Sequence, residues 1–132
     1  MYSFSKSSQE KLSTCHPDLI AVCNIAITVI DFTVIYGFRN NVIQDQLFRE
    51  GKSQKRGGQS VHNVWPSEGV DVAPYPIDWE DIDRFIALGG VMMGIARCLN
   101  IPLRWGGDWD GDWNFKEERF RDFCHLERRK RI

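Results

Sequence analysis

The chain lacks the long apolar run that a membrane-spanning helix requires. A span needs about 20 consecutive apolar residues, but the most apolar stretch, residues 19–34, is interrupted by Asn24, Thr28 and Asp31. Residues 1–8 also lack the positive segment and apolar run of a signal peptide. We therefore expect a protein made in the cytoplasm of a bacterial host, without an export signal and without stable membrane insertion.

The chain also lacks an excess of charge of one sign and closely spaced pairs of cysteines. Seventeen basic and 18 acidic residues leave a net charge of −1, which argues against a general nucleic-acid partner. The four cysteines form no Cys-x-x-Cys pair, so their spacing predicts no metal cluster. We expect four reduced thiols, most of them buried, as is usual for a protein made in a reducing compartment.

Length and composition predict one compact domain over residues 1–132. The 132 residues, 42% of them hydrophobic, suffice for a single core. Gly89 and Gly90 interrupt the longest helical pattern, where we expect a close contact. Helices are predicted over 7–12, from 17, over 42–50 and over 78–99, and strands over 32–36, 69–73, 101–105 and 120–126. This order predicts an α+β fold with a small, mainly antiparallel sheet and flanking helices.

Two of the three histidines stand in settings typical of a catalytic zinc site. His62 precedes Asp71 by nine residues, and His125 lies near the C-terminus. Two imidazoles and one carboxylate form a three-ligand set that leaves the fourth tetrahedral position open for a water, whose pKa falls to about 7. His16, directly before Pro17 at a predicted helix start, is instead expected to cap that helix or lie on the surface.

Two acidic residues flank His125. Asp122 precedes it by three residues and is a candidate general base, which a zinc hydrolase needs beside the activated water; otherwise it is an exposed acid in a charged segment. Glu127 follows it by two residues, so on a strand both side chains share a face. Glu127 then either orients the imidazole or is solvated.

Four stretches together resemble one known family. Residues 31–39, 60–79, 103–112 and 122–127 resemble, in the same order, phage endolysins of the LAS zinc peptidase family, the D-Ala-D-Ala carboxypeptidase and L-alanyl-D-glutamate endopeptidase type. The resemblance extends from about residue 4 to residue 127. It implies the compact fold that these peptidases share with Hedgehog domains. The nine-residue step from His62 to Asp71 is longer than in many members, which implies a longer loop between these positions.

The resemblance also implies roles for individual residues. It implies Zn²⁺ held by His62, Asp71 and His125, a carboxylate base at Asp122, and a substrate-contacting arginine at Arg39. Arg39 follows a predicted strand end, and a guanidinium suits a substrate carboxylate or a polarised carbonyl. Without the resemblance, a surface position would be the simpler interpretation of this arginine.

Other candidates for the pocket are weaker. Ser60 stands two residues before His62, and Gln46 lies on a predicted helix. Residues 105–113 combine Trp105 with alternating Asp108, Asp110 and Asp112, but the sixth and twelfth positions do not fit an EF-hand. The loop either supplies aromatic walls to a cleft or holds a second metal such as calcium. The basic residues 128–132 either steer the chain to anionic polymers or form a solvated tail.

These observations predict a monomeric zinc metallopeptidase that hydrolyses peptidoglycan stem peptides. The preferred activity is that of an L-alanyl-D-glutamate endopeptidase acting in phage lysis, on the cell wall after release. A D-alanyl-D-alanine carboxypeptidase or dipeptidase is the alternative that the same metal set would serve. A non-catalytic, zinc-stabilised binding module is the alternative from another class, since a shared fold does not guarantee chemistry. A general base at Asp122 argues against that module.

Overall fold

A computed structural model describes residues 1–117 and 121–129 of the chain. Four α-helices and four β-strands are present in these residues. In chain order they are α1 (Lys6–Leu12), α2 (Pro17–Ala26), β1 (Phe32–Tyr36), α3 (Asn41–Arg49), β2 (Gly69–Pro74), α4 (Ile82–Cys98), β3 (Leu103–Gly106) and β4 (Asp122–Arg128). Short 3₁₀ turns at Val61–Asn63 and Phe115–Glu117 complete the secondary structure of this part.

The strands form one antiparallel sheet in the order β1-β2-β4-β3. β2 pairs antiparallel with both β1 and β4, and β3 pairs antiparallel with β4. This confirms the predicted α+β fold. β1 has the predicted bounds, whereas β3 begins two residues later than predicted. Of the predicted segment 120–126, residue 120 lies outside the described residues, and β4 continues to Arg128.

The two faces of the sheet have different roles because successive side chains of a strand alternate between faces. Helices α2 and α4 cover one face. The buried side chains on that face include Val70, Val72, Leu103, Trp105 and Leu126. The opposite face is left to polar residues of β2, β3 and β4, so the helices leave one side of the sheet open for a cleft.

The predicted starts of α1 and α4 differ from the structure: α1 begins one residue earlier than predicted and α4 four residues later. The N-cap of α1 is Ser5, whose side chain accepts from the Ser8 N–H, rather than a residue at position 7. The N-cap of α4 is Asp81, whose side chain accepts from the Arg84 N–H, rather than Asp78. Serine and aspartate are both favoured at an N-cap, and several such residues lie close together before each helix, so the sequence did not single out one of them. The predicted capping role of His16 is confirmed, since its ring accepts from the Asp18 N–H.

The segment 128–132, predicted to be a basic tail, begins inside the sheet. Arg128 ends β4, and its guanidinium donates to Asp18 at 3.0 Å and to Glu68 at 3.0 Å. Burial lowers the pKa of Arg128, but these carboxylates outweigh burial and raise it. Residues 130–132 lie outside the described part of the chain. Arg128 therefore fastens β4 to α2 and to the start of β2.

All four cysteines are free, as predicted. Cys15 and Cys23 are buried, and burial raises the pKa of the Cys15 thiol to about 12. Cys124 is half-buried and Cys98 is exposed, so fewer thiols are buried than predicted. No helix within residues 1–117 or 121–129 has the length and apolar character needed to cross a bilayer.

The close contact expected at the glycine pair of α4 involves only one of the two residues. A Cβ on Gly89 would overlap the indole of Trp105, whereas a Cβ on Gly90 would meet no atom within 4 Å. Trp105 is fully buried, and its Nε1 donates to the Phe123 carbonyl at 2.9 Å. Gly89 thus lets α4 approach the sheet closely enough to cover this tryptophan.

We predict opposite effects of alanine at these two neighbouring positions. Gly89→Ala should lower the free energy of unfolding by about 1–3 kcal/mol, because overpacking displaces Trp105. Gly90→Ala, the matched control, should raise it by about 0.5–1 kcal/mol, because alanine has the higher helix propensity. Urea denaturation followed by tryptophan fluorescence measures both. Equal effects of the two changes would contradict the proposed contact.

Candidate metal centre and cleft

Three predicted site residues come together on the open face of the sheet. His62 lies in the 3₁₀ turn Val61–Asn63, Asp71 on β2 and His125 on β4. His62 Nε2 is 3.3 Å from both Asp71 Oδ1 and His125 Nδ1, and the latter two atoms are 2.8 Å apart. Ligand atoms of a tetrahedral zinc with bonds of 2.0–2.1 Å are separated by about 3.3 Å. The donor set therefore fits a metal ion such as zinc.

The second ring nitrogen of each histidine is also bound. His62 Nδ1 lies 2.7 Å from the Gly37 carbonyl oxygen, and His125 Nε2 lies 2.9 Å from Glu127 Oε1. Both distances fit an N–H that donates outward. A bound metal ion would then receive the lone pair of the other nitrogen of each ring, the arrangement typical of metal-ligating histidines.

The backbone around His62 is held by a compact set of hydrogen bonds. The Ser60 hydroxyl accepts from the His62 N–H, and the His62 carbonyl accepts from the Arg39 N–H at 2.8 Å. The Asn63 side chain donates from Nδ2 to the Arg39 carbonyl at 2.8 Å. Gly69 adds room, since a Cβ there would lie 3.1 Å from the His125 ring. Ser60 lines the cleft but uses its hydroxyl to form the turn.

The charges of the cluster are strongly coupled. Burial alone would raise the pKa of Asp71, but the charge of His62 and hydrogen bonds from both histidines hold it far below its usual range. Burial lowers the pKa of His125, yet its bonds to Asp71 and Glu127 outweigh burial and raise it to about 10. Without a metal, His125 therefore carries a proton beside an ionised Asp71, and a metal ion that binds here must displace that proton.

Asp122 lies in the same cleft as His125, although a regular strand would point residues three apart to opposite faces. The pairing of β3 with β4 is irregular at this point: Trp105 faces Leu126, but the next residue, Gly106, faces Asp122. This bulge re-aims the start of β4, a common role for bulges near active sites. One signal of this bulge stood in the sequence, because a Cβ at Gly106 would overlap the Asp122 carbonyl and the close approach of the two strands therefore requires glycine.

Arg39 lies at the β1 side of the cluster and is 8% exposed. Its Nη1 is 4.0 Å from Asp71 Oδ2, and its guanidinium lies 4.9 Å from the centre of the Tyr36 ring. Burial lowers the pKa of Arg39, and the charge of Asp71 partly offsets this. Its buried Nε has no hydrogen-bond partner among the described residues. The guanidinium therefore retains donor capacity inside the cleft.

The cluster lies in a cleft of about 790 Å³ that crosses all four strands. Trp79 and Trp109 contribute aromatic walls, so the predicted role of the 105–113 loop is met by Trp109. The sequence singled out one cation for the cleft, Arg39, but the structure adds others. The additional cations among the lining residues are Arg104, Lys52 and Lys55. No spacing signal marked them, because the loop 51–55 and β3 lie far apart in sequence.

Three weaker candidates do not line the cleft. Trp105 points to the core face of β3, and Gln46 lies on the exposed side of α3, 3.5 Å from Glu50. Asp108 is buried within its own loop, where Oδ2 accepts from the Trp113 N–H at 2.9 Å. Its carboxylate lies close to two others, with ligand atoms of Asp108, Asp110 and Asp112 within 4.8 Å of one another. A second metal at this loop stays a prediction.

A buried glutamine missed by the sequence reasoning holds one wall of the cleft. Gln44 is fully buried on α3, and its Nε2 donates to Ser53 Oγ at 2.9 Å and to the Lys55 carbonyl at 2.6 Å. Residues 51–55, which we call the lysine loop, line the cleft. Gln44 stands three residues before Leu47 on the inward side of α3, which was the available signal.

The comparisons with known proteins agree with this geometry. A family model described as phage L-alanyl-D-glutamate peptidase matches residues 1–128. The chain belongs to this peptidase family. The predicted family resemblance is thereby confirmed.

Two curated relatives carry related names. The chain is 31% identical to the L-alanyl-D-glutamate peptidase of Escherichia phage T5, over 96% of this chain and 97% of that protein. It is 28% identical to the peptidoglycan L-alanyl-D-glutamate endopeptidase CwlK of Bacillus subtilis strain 168, over 74% of this chain and 60% of that protein. The crystal structure of the L-Ala D-Glu endopeptidase ChiX of Serratia marcescens superposes with a TM-score of 0.75 at 27% identity, covering 97% and 91% of the two chains.

We predict that Gln44→Met loosens the lysine loop without unfolding this member of the family. Methionine has a similar volume but cannot donate to Ser53 or Lys55. The change in the free energy of unfolding should stay within about 1 kcal/mol, because the variant also removes the buried Oε1 of Gln44, which has no hydrogen-bond partner within residues 1–117 and 121–129. Limited trypsin digestion should cut faster after Lys52 and Lys55.

The control is Gln46→Met, which makes the same change on the exposed side of α3. It should digest at the wild-type rate. Equal digestion of both variants would contradict the role of Gln44.

Proposed function

We propose that the chain is a zinc-dependent peptidase that hydrolyses the bond between L-alanine and D-glutamate in the stem peptides of peptidoglycan. In this proposal His62, Asp71 and His125 hold the zinc ion. The observation that carries it is the convergence of their three donor atoms, 2.8–3.3 Å apart, at the floor of an open cleft. Family membership supports the bond and the substrate class.

Zinc, when bound, would supply Lewis acidity that polarises the scissile carbonyl and lowers the pKa of a water molecule. Asp122 would accept a proton from the attacking water and pass it to the leaving amine of D-glutamate. Its position in the cleft beside His125, without being one of the three clustered donors, supports this role. A carboxylate that bound the metal itself would be less free to carry the proton.

Arg39 would hold the substrate. A guanidinium donates in a fork that matches a carboxylate or a carbonyl oxygen. Two observations support this role: Arg39 is buried, and its Nε has no partner in the described part of the chain, so a substrate oxygen would satisfy a buried donor. The free α-carboxylate of D-glutamate is a suitable partner, since it adjoins the scissile bond.

The extent of the cleft supports an endopeptidase over a carboxypeptidase. A carboxypeptidase needs a closed end where a cation binds the terminal carboxylate, whereas an endopeptidase accepts chain on both sides of the bond. The lining includes Tyr36 of β1 and Arg104 of β3, the two edge strands, with the cluster between them. The lining thus continues on both sides of the cluster, which supports binding of a peptide that extends past it in both directions.

The whole chain, in this proposal, forms one catalytic domain that acts as a monomer. It would act on the cell wall after its release, in phage lysis, and the similarity to a peptidase of Escherichia phage T5 supports this. The match to the phage relative over 96% of the chain supports a single domain.

We predict that zinc binding depends on both clustered histidines. Wild-type protein should bind about one zinc per chain, and His62→Ala or His125→Ala should abolish tight binding, because two ligands cannot replace the three-residue set. Inductively coupled plasma mass spectrometry after dialysis measures the content. His16→Ala is the control, because this histidine caps α2 away from the cluster, and it should keep its zinc. Full zinc occupancy in both His62→Ala and His125→Ala would contradict the assignment of these histidines as zinc ligands.

We predict that Asp122→Asn lowers turnover by roughly 10²–10⁴-fold, the usual scale for a lost general base, while zinc content stays near wild type. Mass spectrometry of digested cell walls should detect, with wild type, peptides that begin with D-glutamate. Asp83→Asn, an exposed acid in the first turn of α4, should behave as wild type. Near-normal turnover of Asp122→Asn would assign the base role to another residue, with Glu127 the next candidate.

A further inference from the structure

Glu127 connects the metal cluster to a residue that lies outside it. One oxygen of its carboxylate, Oε1, lies 2.9 Å from His125 Nε2, and the other, Oε2, lies 3.1 Å from Arg104 Nη2. Arg104 and Glu127 are direct partners in the pairing of β3 with β4. Each carboxylate oxygen thus has its own donor, one on the ring and one on the neighbouring strand.

Arg104 is held from a second side as well. Its guanidinium lies 5.0 Å from the centre of the Trp109 ring, a cation–π distance. The Trp109 ring in turn lies 5.9 Å from the ring of His125. The Glu127 side chain is 14% exposed and that of Arg104 is 43% exposed. The Glu127 carboxylate is therefore largely withdrawn from water, and the positive charge of Arg104 stabilises it in place of water.

We propose that Arg104 is a positioning residue that acts through Glu127 to hold the His125 ring in the orientation needed for metal binding. The inference rests on the proposed zinc site. A carboxylate that accepts from an imidazole through one oxygen can still rotate about its terminal bond. A second donor on the other oxygen removes that freedom. Nδ1 of His125 then stays directed at Asp71 and His62 before the metal arrives.

A direct substrate contact is the competing role for Arg104, because this residue also lines the cleft. The two roles differ in what they change. A positioning residue alters zinc affinity with no substrate present, whereas a substrate contact alters KM and leaves zinc affinity unchanged. Zinc affinity of the substrate-free protein is therefore the deciding measurement.

The test is a double-mutant cycle on zinc affinity, measured by competition with a chromophoric chelator. The four proteins are wild type, Arg104→Gln, Glu127→Gln and the double variant. Arg104→Gln should weaken zinc binding about 3- to 10-fold, between the small effect of exposed ion pairs and the 10- to 100-fold loss typical of a direct partner of a ligand. In the Glu127→Gln background the same change should cost less than about 2-fold, because the coupled carboxylate is absent.

Arg97→Gln is the matched control. Arg97 is an exposed arginine whose guanidinium lies 5.7 Å from the Trp113 ring, a tryptophan of the same loop as Trp109, and it is not among the residues lining the cleft. Its zinc affinity should equal that of wild type. An equal loss in Arg97→Gln and Arg104→Gln would overturn the proposal, since a general loosening of the loop would then explain it.

Two other results would also overturn the inference. Unchanged zinc affinity with a raised KM in Arg104→Gln would make Arg104 a substrate contact. The same fold loss in both backgrounds would mean that Arg104 acts by a route other than Glu127. Failure of the zinc site itself would appear differently, as absence of tight zinc binding in wild type.

A zinc-free measurement separates these cases further. In metal-free wild type, NMR should detect the hydrogen-bonded Nε2–H proton of His125. That signal should weaken in Arg104→Gln and stay unchanged in Arg97→Gln. An unchanged signal in Arg104→Gln would overturn the positioning role.

Discussion

The antiparallel pairing of β2 with β4 sets Asp71 directly opposite His125, and the rest of the site depends on this register. Directly opposed residues share a face, so two donors come together without any loop having to position them. His62, the third donor, is added from a turn that hydrogen bonds join to Gly37 and Arg39. A slip of one residue would turn every side chain of β4 to the opposite face and replace His125 with Leu126 or Cys124.

The same alternation explains why a small domain can hold a charged cluster. Leu126 lies between His125 and Glu127 in sequence but is fully buried on the helix-covered face. The core and the cleft are therefore built from the same strands, residue by residue. Trp105 links them, since its indole fills the core against Gly89 while the next residue in sequence, Gly106, forms the bulge opposite Asp122.

The charges of the cleft are arranged in layers around the cluster. Asp71 is ionised among two imidazoles, and Glu127 is held ionised by His125 and Arg104, which outweigh its burial and lower its pKa. Arg39 and Arg104 stand at the β1 and β3 sides. Buried charges are tolerated only when paired, so each acid of the floor has a cationic neighbour. The arrangement favours a cation at the centre and anionic substrate groups at the rims.

The sequence by itself determined the elements and the chemical inventory. β-branched and aromatic residues gave β1, apolar periodicity gave α2 and α4, and the ordered His62, Asp71 and His125 indicated a metal set, because local propensity and residue chemistry are readable along the chain. Only tertiary structure decided that Asp122 shares the cleft, that Gln44 rather than Gln46 is inward, that Trp105 belongs to the core, and that Arg104 reaches Glu127. Each of these depends on strand register, a bulge or contacts between segments distant in sequence, which no local pattern records.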